Sequence, residues 1–175
     1  MEIIEALKKT GKTIEDAFTP SKIGDMDILK KLHMEHEEVK SLLKQLVDEE
    51  SGPTRKMLLH KIKIALVPHE RAEEKVVYNA VLDQPAETSK IDGEEGYVEH
   101  NLADKTLAKL SKIEDASSPE FSAAAKVLKE LIGHHISEEE SNIWKDVRDS
   151  FDDEERIEMN RAFEAAKKKV RVTQA

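Results

Sequence analysis

Four histidines, His36, His69, His100 and His135, each interrupt an otherwise apolar helical stripe. Two of them have a glutamate four residues on: Glu73 after His69, and Glu139 after His135. The stripes read Leu29, Leu32, His36, Val39, Leu43, Leu46; then Leu58, Ile62, Ala65, His69, Glu73, Val76, Ala80; then His100, Ala103, Leu107, Leu110; then Phe121, Ala124, Leu128, Ile132, His135, Glu139, Ile143. Steps of three and four keep each stripe on one helix face, with His and Glu one turn apart. A carboxylate turned into a core is costly alone, and a multivalent cation is the partner that satisfies imidazole and carboxylate together. Six nitrogen and oxygen donors without a thiolate suit iron or manganese better than zinc, and two carboxylates can bridge two ions. One such histidine by itself is more often a hydrogen-bonded core residue; four on four stripes, joined by two carboxylates, reverse that weighting.

The register of the last pair leaves alternatives. His134 with Glu138 has the same spacing, and Glu140 can replace Glu139 as the carboxylate after His135. His33, one turn before His36, reads as an outer or surface residue, and His60, beside Lys61 and Lys63, as solvated. Tyr78 and Trp144 can line a ligand pocket or simply fill the core.

The elements that must position these residues are helices. Charged residues make up 37% of the 175-residue chain and apolar residues 38%, with few glycines, prolines and aromatics, a mixture that favours helices with one buried stripe. Breakers at Pro20 to Gly24, Ser51-Gly52-Pro53, Pro85 through Gly96 and Ser117-Ser118-Pro119 leave a short helix near 2–18, long helices near 26–50, 53–83, 96–115 and 119–149, and a last helix near 152–170. Short connections between long amphipathic helices imply an all-α, up-down-up-down four-helix bundle over residues 26–150, with a helical extension at 1–25 and a C-terminal helix and tail at 151–175. Pro68, just before His69, is expected to kink or bulge the second helix. Gly133 is an unusual residue for a bundle interior.

The absence of cysteine excludes disulfides, iron–sulfur clusters and thiol catalysis. A net charge of −9 repels nucleic acid, and no apolar run approaches the ~18 residues that span a bilayer. MEIIEALKKTGK lacks the apolar core of a signal peptide, so a cytoplasmic location is expected.

The segments EHEEVKSLL, PHERAEEKVVYNAV, VEHNLADKTLAKL and GHHISEEESNIW, in this order, resemble the hemerythrin-like or HHE cation-binding family. That resemblance covers roughly residues 26–149. It implies a bundle enclosing two iron ions, bridged by carboxylates and an oxygen species, with His36, His69, Glu73, His100, His135 and Glu139 as ligands and manganese or zinc as possible substitutes. Oxygen-carrying members use a fifth histidine one turn before the third-helix ligand, where this chain has Gly96. One iron is then expected to keep an open position, or to take Glu70. The functions implied are binding or sensing of dioxygen or iron; a di-iron enzyme consuming peroxide, nitric oxide or dioxygen is the alternative, and a structural bundle without metal the second. The expected partner is dioxygen or another small diatomic or peroxide ligand.

Overall fold

A computed structural model describes residues 25–172. The helix expected near 2–18 lies outside them. The described elements are α1 (Ile28–Asp48), α2 (Gly52–Glu73), a π-helical segment (Glu74–Tyr78), α3 (Asn79–Leu82), α4 (Glu87–Lys112), α5 (Pro119–Ser141), α6 (Ile143–Ser150) and α7 (Asp153–Lys167). Among the described residues there is no strand. Helices α1, α2, α4 and α5 pack around one axis, each against its two neighbours, as a four-helix bundle.

Local chemistry accounts for the helix starts. Asp27 accepts a hydrogen bond from the Leu29 amide, and Ser118 accepts one from Phe121 with Pro119 in the first turn. Asp152 and Glu155 form a reciprocal capping box that opens α7. Helix α7 lies against α1, α2 and the π segment. It is tied there by Arg156 Nε to Asp27 (2.6 Å), Asn160 Nδ2 to the Met26 carbonyl (2.9 Å) and a buried Phe163.

The stripes on α1, α4 and α5 are buried as expected. The α2 stripe is buried at Leu58, Ile62, His69 and Glu73, but beyond Glu73 the buried residues are Val77, Tyr78 and Val81 instead of Val76 and Ala80. The π segment is the reason: its i→i+5 bonding, seen in the Asn79 amide on the Glu74 carbonyl, accommodates one extra residue and advances the inward face by one position. The bulge expected from Pro68 therefore begins at Glu74, while α2 runs unbroken through the proline.

Three other boundaries depart from the sequence pattern. Helix α4 begins at Glu87, so the acidic stretch up to Gly96 is helix and not loop. Its glycines admit close neighbours: a Cβ at Gly93 would lie 3.1 Å from Leu82 Cδ2, and one at Gly96 only 2.6 Å from Tyr78 Cε2 and Cζ. The expected helix 119–149 breaks at Asn142 into α5 and α6. Gly133 is exposed, with nothing within 4 Å of a Cβ built on it, so it does not belong to the interior.

Two apolar clusters divide the core. One, around Leu43, Leu46, Ile62, Leu110, Phe121 and Leu128, fills one end of the bundle. The other, around Ile28, Leu32, Tyr78, Val81, Trp144 and Phe163, fills the opposite end. A polar layer of histidine and glutamate separates them.

Candidate metal centre

All six residues read from the stripes are buried in that layer: His36, His69, His100, His135, Glu73 and Glu139. Their inner atoms converge. His36 Nε2 lies 3.3 Å from Glu139 Oε2, His69 Nε2 and His100 Nε2 each lie 3.5 Å from Glu73 Oε2, and His135 Nε2 lies 3.7 Å from Glu139 Oε2. His100 Nε2 and His135 Nε2 face each other at 3.1 Å. Two triads of donor atoms result, His36–His69–Glu73 and Glu73–His100–His135, sharing Glu73. Glu139 spans both halves of the layer through His36 and His135.

Each imidazole is fixed by a carboxylate behind it. The Nδ1–H of His69 donates to Glu35 (3.0 Å), that of His100 to Glu74 (3.0 Å), that of His135 to Glu99 (2.7 Å) and that of His36 to Glu140 (3.0 Å). With Nδ1 committed as donor, every Nε2 faces the interior, where it can give its lone pair to a cation that displaces its proton. Glu35 is itself held by Lys31 (2.9 Å) and Lys167 (2.6 Å), and Glu74 by Arg71. Trp144 stacks on His36 at 5.9 Å, and Phe163 stands edge-on to His69 at 5.7 Å.

The alternatives separate cleanly. His134 is exposed and pairs with Glu138 at 3.4 Å, so His135 is the inward residue. Glu140 lies behind His36, and Glu139 faces the interior. His33 is exposed and reaches Glu140 at 3.1 Å. His60 is half-buried and stands outside both triads. Glu70 is 0% exposed with no hydrogen-bond partner on either oxygen, and it too lies outside both triads.

The outer carboxylates Glu35, Glu74 and Glu99 were not singled out by the sequence. A signal existed: every inward donor group has an acid immediately beside it, in Glu35-His36, Glu73-Glu74, Glu99-His100 and Glu139-Glu140. On charged amphipathic helices such neighbours read as solvated faces.

The space next to Gly96 holds a side chain from the π segment. The Tyr78 ring lies over Gly96, and its hydroxyl stands 3.2 Å from His100 Nε2 and 3.4 Å from Glu73 Oε2. The space beside Gly96 is occupied because the π segment turns Tyr78 into it.

The electrostatics describe a layer built for a cation. Glu73 Oε1, both oxygens of Glu139 and His36 Nε2 are buried without a hydrogen-bond partner, a costly arrangement for protein groups alone. Burial opposes charge on the rings, yet the carboxylates outweigh it. Glu139 and Glu140 push His36 up to about 9, Glu73 and Glu35 push His69 up to about 10, and Glu73 and Glu74 push His100 up to about 10. Burial would raise Glu73, but His69 and His100 hold it well below the usual carboxylate range. Burial and the Glu73 charge push Glu139 up. Burial, with a smaller push from the Asp104 charge, raises Glu70 to about 8.

A cleft of about 10 Å³ reaches the layer between α4 and α5, lined by Asp92, Glu95, Gly96, Glu99, His135, Glu138, Glu139, Asn142 and Ile143. That volume is room for about one water-sized molecule.

The family model for the hemerythrin HHE cation binding domain matches residues 27–147. The chain belongs to this family. A cation-binding role follows from that membership together with the two His/Glu triads. Among curated proteins, one called "DNA nickase" from Nostoc sp. (strain PCC 7120 / SAG 25.82 / UTEX 2576) is 27% identical over 146 residues, covering 83% of this chain. The chain spans 40% of that relative's length. No solved structure matches the chain. Among the described residues, no helix is long and apolar enough to cross a membrane.

Proposed function

We propose that the protein is a non-haem di-iron protein that binds or senses a small oxygen-bearing ligand, dioxygen above all. In this reading His36 and His69 hold one iron, His100 and His135 the other, and Glu73 and Glu139 lie between them as shared carboxylates. One observation carries it. His100 Nε2 and His135 Nε2 stand 3.1 Å apart while both Nδ1–H groups are committed to carboxylates. Two nitrogens at that distance need a proton or a metal cation between them, and two nitrogens each about 2.1 Å from one ion stand roughly 3 Å apart, so a cation can take the proton's place without moving either ring. Six nitrogen and oxygen donors, with no thiolate, favour iron, with manganese or zinc as substitutes.

When bound, the iron pair supplies redox electrons to a small ligand. The chain's own residues orient and exclude. The four outer carboxylates fix the imidazole rings, the apolar clusters on both sides keep bulk water out, and the narrow cleft beside His135 limits the ligand to a few atoms. A second reading, an enzyme that consumes peroxide or nitric oxide, is favoured by the same cleft, whose Asp92, Glu95 and Glu138 can carry protons to a reacting ligand. The DNA activity in the Nostoc relative's name is not carried over. The net charge of −9 opposes phosphate binding, and the cleft admits no nucleotide.

Anaerobic reconstitution with ferrous iron, followed by metal analysis, tests the centre, and about two irons per chain are expected. One ion or fewer, in protein shown to be folded, refutes the dinuclear reading. Admitting oxygen or peroxide and recording whether either is consumed then separates binder from enzyme.

A further inference from the structure

We infer that the hydroxyl of Tyr78 is a seventh protein donor of this centre, joining His100, His135 and Glu73 around one ion as a phenolate. The inference rests on the di-iron reading above and deepens it. Tyr78 is fully buried, and its oxygen lies 3.2 Å from His100 Nε2 and 3.4 Å from Glu73 Oε2. Those separations match the ones among the imidazole and carboxylate donors themselves, 3.1 to 3.7 Å. Donors each about 2.1 Å from a common ion stand about that far apart.

The backbone is arranged to bring this residue in. Tyr78 follows Glu73 by five positions. On an α-helix of 3.6 residues per turn that step points about 140° away from Glu73. The π segment Glu74–Tyr78 replaces that geometry with i→i+5 bonding, which aligns residues five apart on one face. Helix α4 makes room opposite, since a Cβ at Gly96 would lie 2.6 Å from the Tyr78 ring and 2.9 Å from its hydroxyl. Tyr97 closes the outer side with its ring 5.6 Å from that of Tyr78 and its hydroxyl on the Glu74 carbonyl at 3.0 Å. A bulge, a glycine and a second tyrosine thus converge on the placement of one oxygen atom.

On ligation the phenol O–H bond breaks, the oxygen–metal bond forms and the proton leaves to solvent; no electron is transferred. A phenolate is a hard anionic donor, so it selects trivalent over divalent iron and gives ferric protein a phenolate-to-metal absorption in the visible. Neither imidazole nor carboxylate produces that band.

The test is an optical and resonance Raman study of iron-reconstituted protein after oxidation, with iron content measured on the same samples. Wild type is expected to show a visible band with tyrosinate ring modes in resonance. Those modes should shift when the protein is grown with ring-deuterated tyrosine, a measurement that needs no variant. Tyr78→Phe should lose the band while keeping its iron, and Tyr97→Phe should retain it. Wild type that holds its iron but lacks the tyrosinate modes overturns the phenolate and leaves the di-iron centre standing. Wild type that holds no iron overturns both.

Discussion

Replacing Glu35 with glutamine changes one atom type and tests whether the outer carboxylates organise the centre. Glu35 accepts from His69 Nδ1 at 3.0 Å and, through its other oxygen, from Lys31 at 2.9 Å and Lys167 at 2.6 Å. A glutamine offers one carbonyl oxygen for these three donors, and its NH2 group faces either an N–H or two ammonium groups. The His69 ring then loses its anchor and part of the negative charge that keeps its inner nitrogen a strong donor. Outer partners of this kind change metal affinity by roughly 10- to 100-fold, which corresponds to about 1.4–2.7 kcal/mol. A competition titration against a chromophoric chelator, with ferrous or cobaltous ion under anaerobic conditions, reads this directly. In the di-iron reading, the weakened step should be the ion assigned to His36 and His69. Glu37→Gln, two residues away but exposed and paired with Lys40, should leave affinity unchanged. Equal affinities for wild type and Glu35→Gln, or equal losses for both variants, would refute the organising role.

Other outcomes follow from particular residues. The rings of His36, His69 and His100 are raised to about 9–10 by their carboxylates, above an unfolded value of about 6.5. Their contribution to chelated protein is therefore full below pH about 6.5 and lost as pH rises through 9 to 10, which denaturant titrations at several pH values will show. Cation binding has the opposite sign: it must displace those protons, so affinity rises with pH up to about 9–10 and binding releases acid into weak buffer. Glu70→Met should raise the Tm of chelated protein by a few degrees, since it removes a buried carboxyl without a hydrogen-bond partner, only loosely paired with Arg71 at 3.9 Å, and should leave iron stoichiometry intact. Gly133→Ala and Gly96→Ala should move stability in opposite directions in thermal melts. The first should gain about 0.5–1 kcal/mol on an open helix surface, and the second lose roughly 1–3 kcal/mol against the Tyr78 ring.

The regular part of this molecule was legible in its sequence. Stripes at three-four spacing identified the buried faces of α1, α4 and α5, and the histidines and glutamates that broke them are the residues that meet in the polar layer. Strict periodicity also explains the misses. It carried the α2 stripe past Glu73 to Val76 and Ala80, because an α-helical count has no place for the residue that the π segment inserts. Tyr78 consequently read as an aromatic that could line a pocket or fill the core, with nothing to mark it as facing Glu73 and His100. Gly93 and Gly96 suggested a loop, since glycine lowers helix propensity, whereas the close approach of Leu82 and Tyr78 requires glycine inside α4. A single-chain pattern shows which residues share a face, and these failures are all cases where a neighbouring helix decided the outcome.

The outer carboxylates show how far that coupling between helices goes. Each lies next in sequence to an inner donor yet serves the histidine of a neighbouring helix. Glu35 beside His36 supports His69, Glu74 beside Glu73 supports His100, Glu99 beside His100 supports His135, and Glu140 beside Glu139 supports His36. The chain of support passes from α1 to α2, through the π segment to α4, on to α5 and back to α1. One residue along an α-helix rotates a side chain by about 100°, the turn needed for a donor aimed at the axis to have its neighbour aimed at the adjacent helix. Displacing any one helix therefore withdraws an inner donor from its own position and an anchor from the next. A cation bound at the axis is held by a closed ring of charge-assisted hydrogen bonds, each dependent on two helices. Affinity for the metal and rigidity of the bundle become one property, and a substitution in the outer ring should loosen both together.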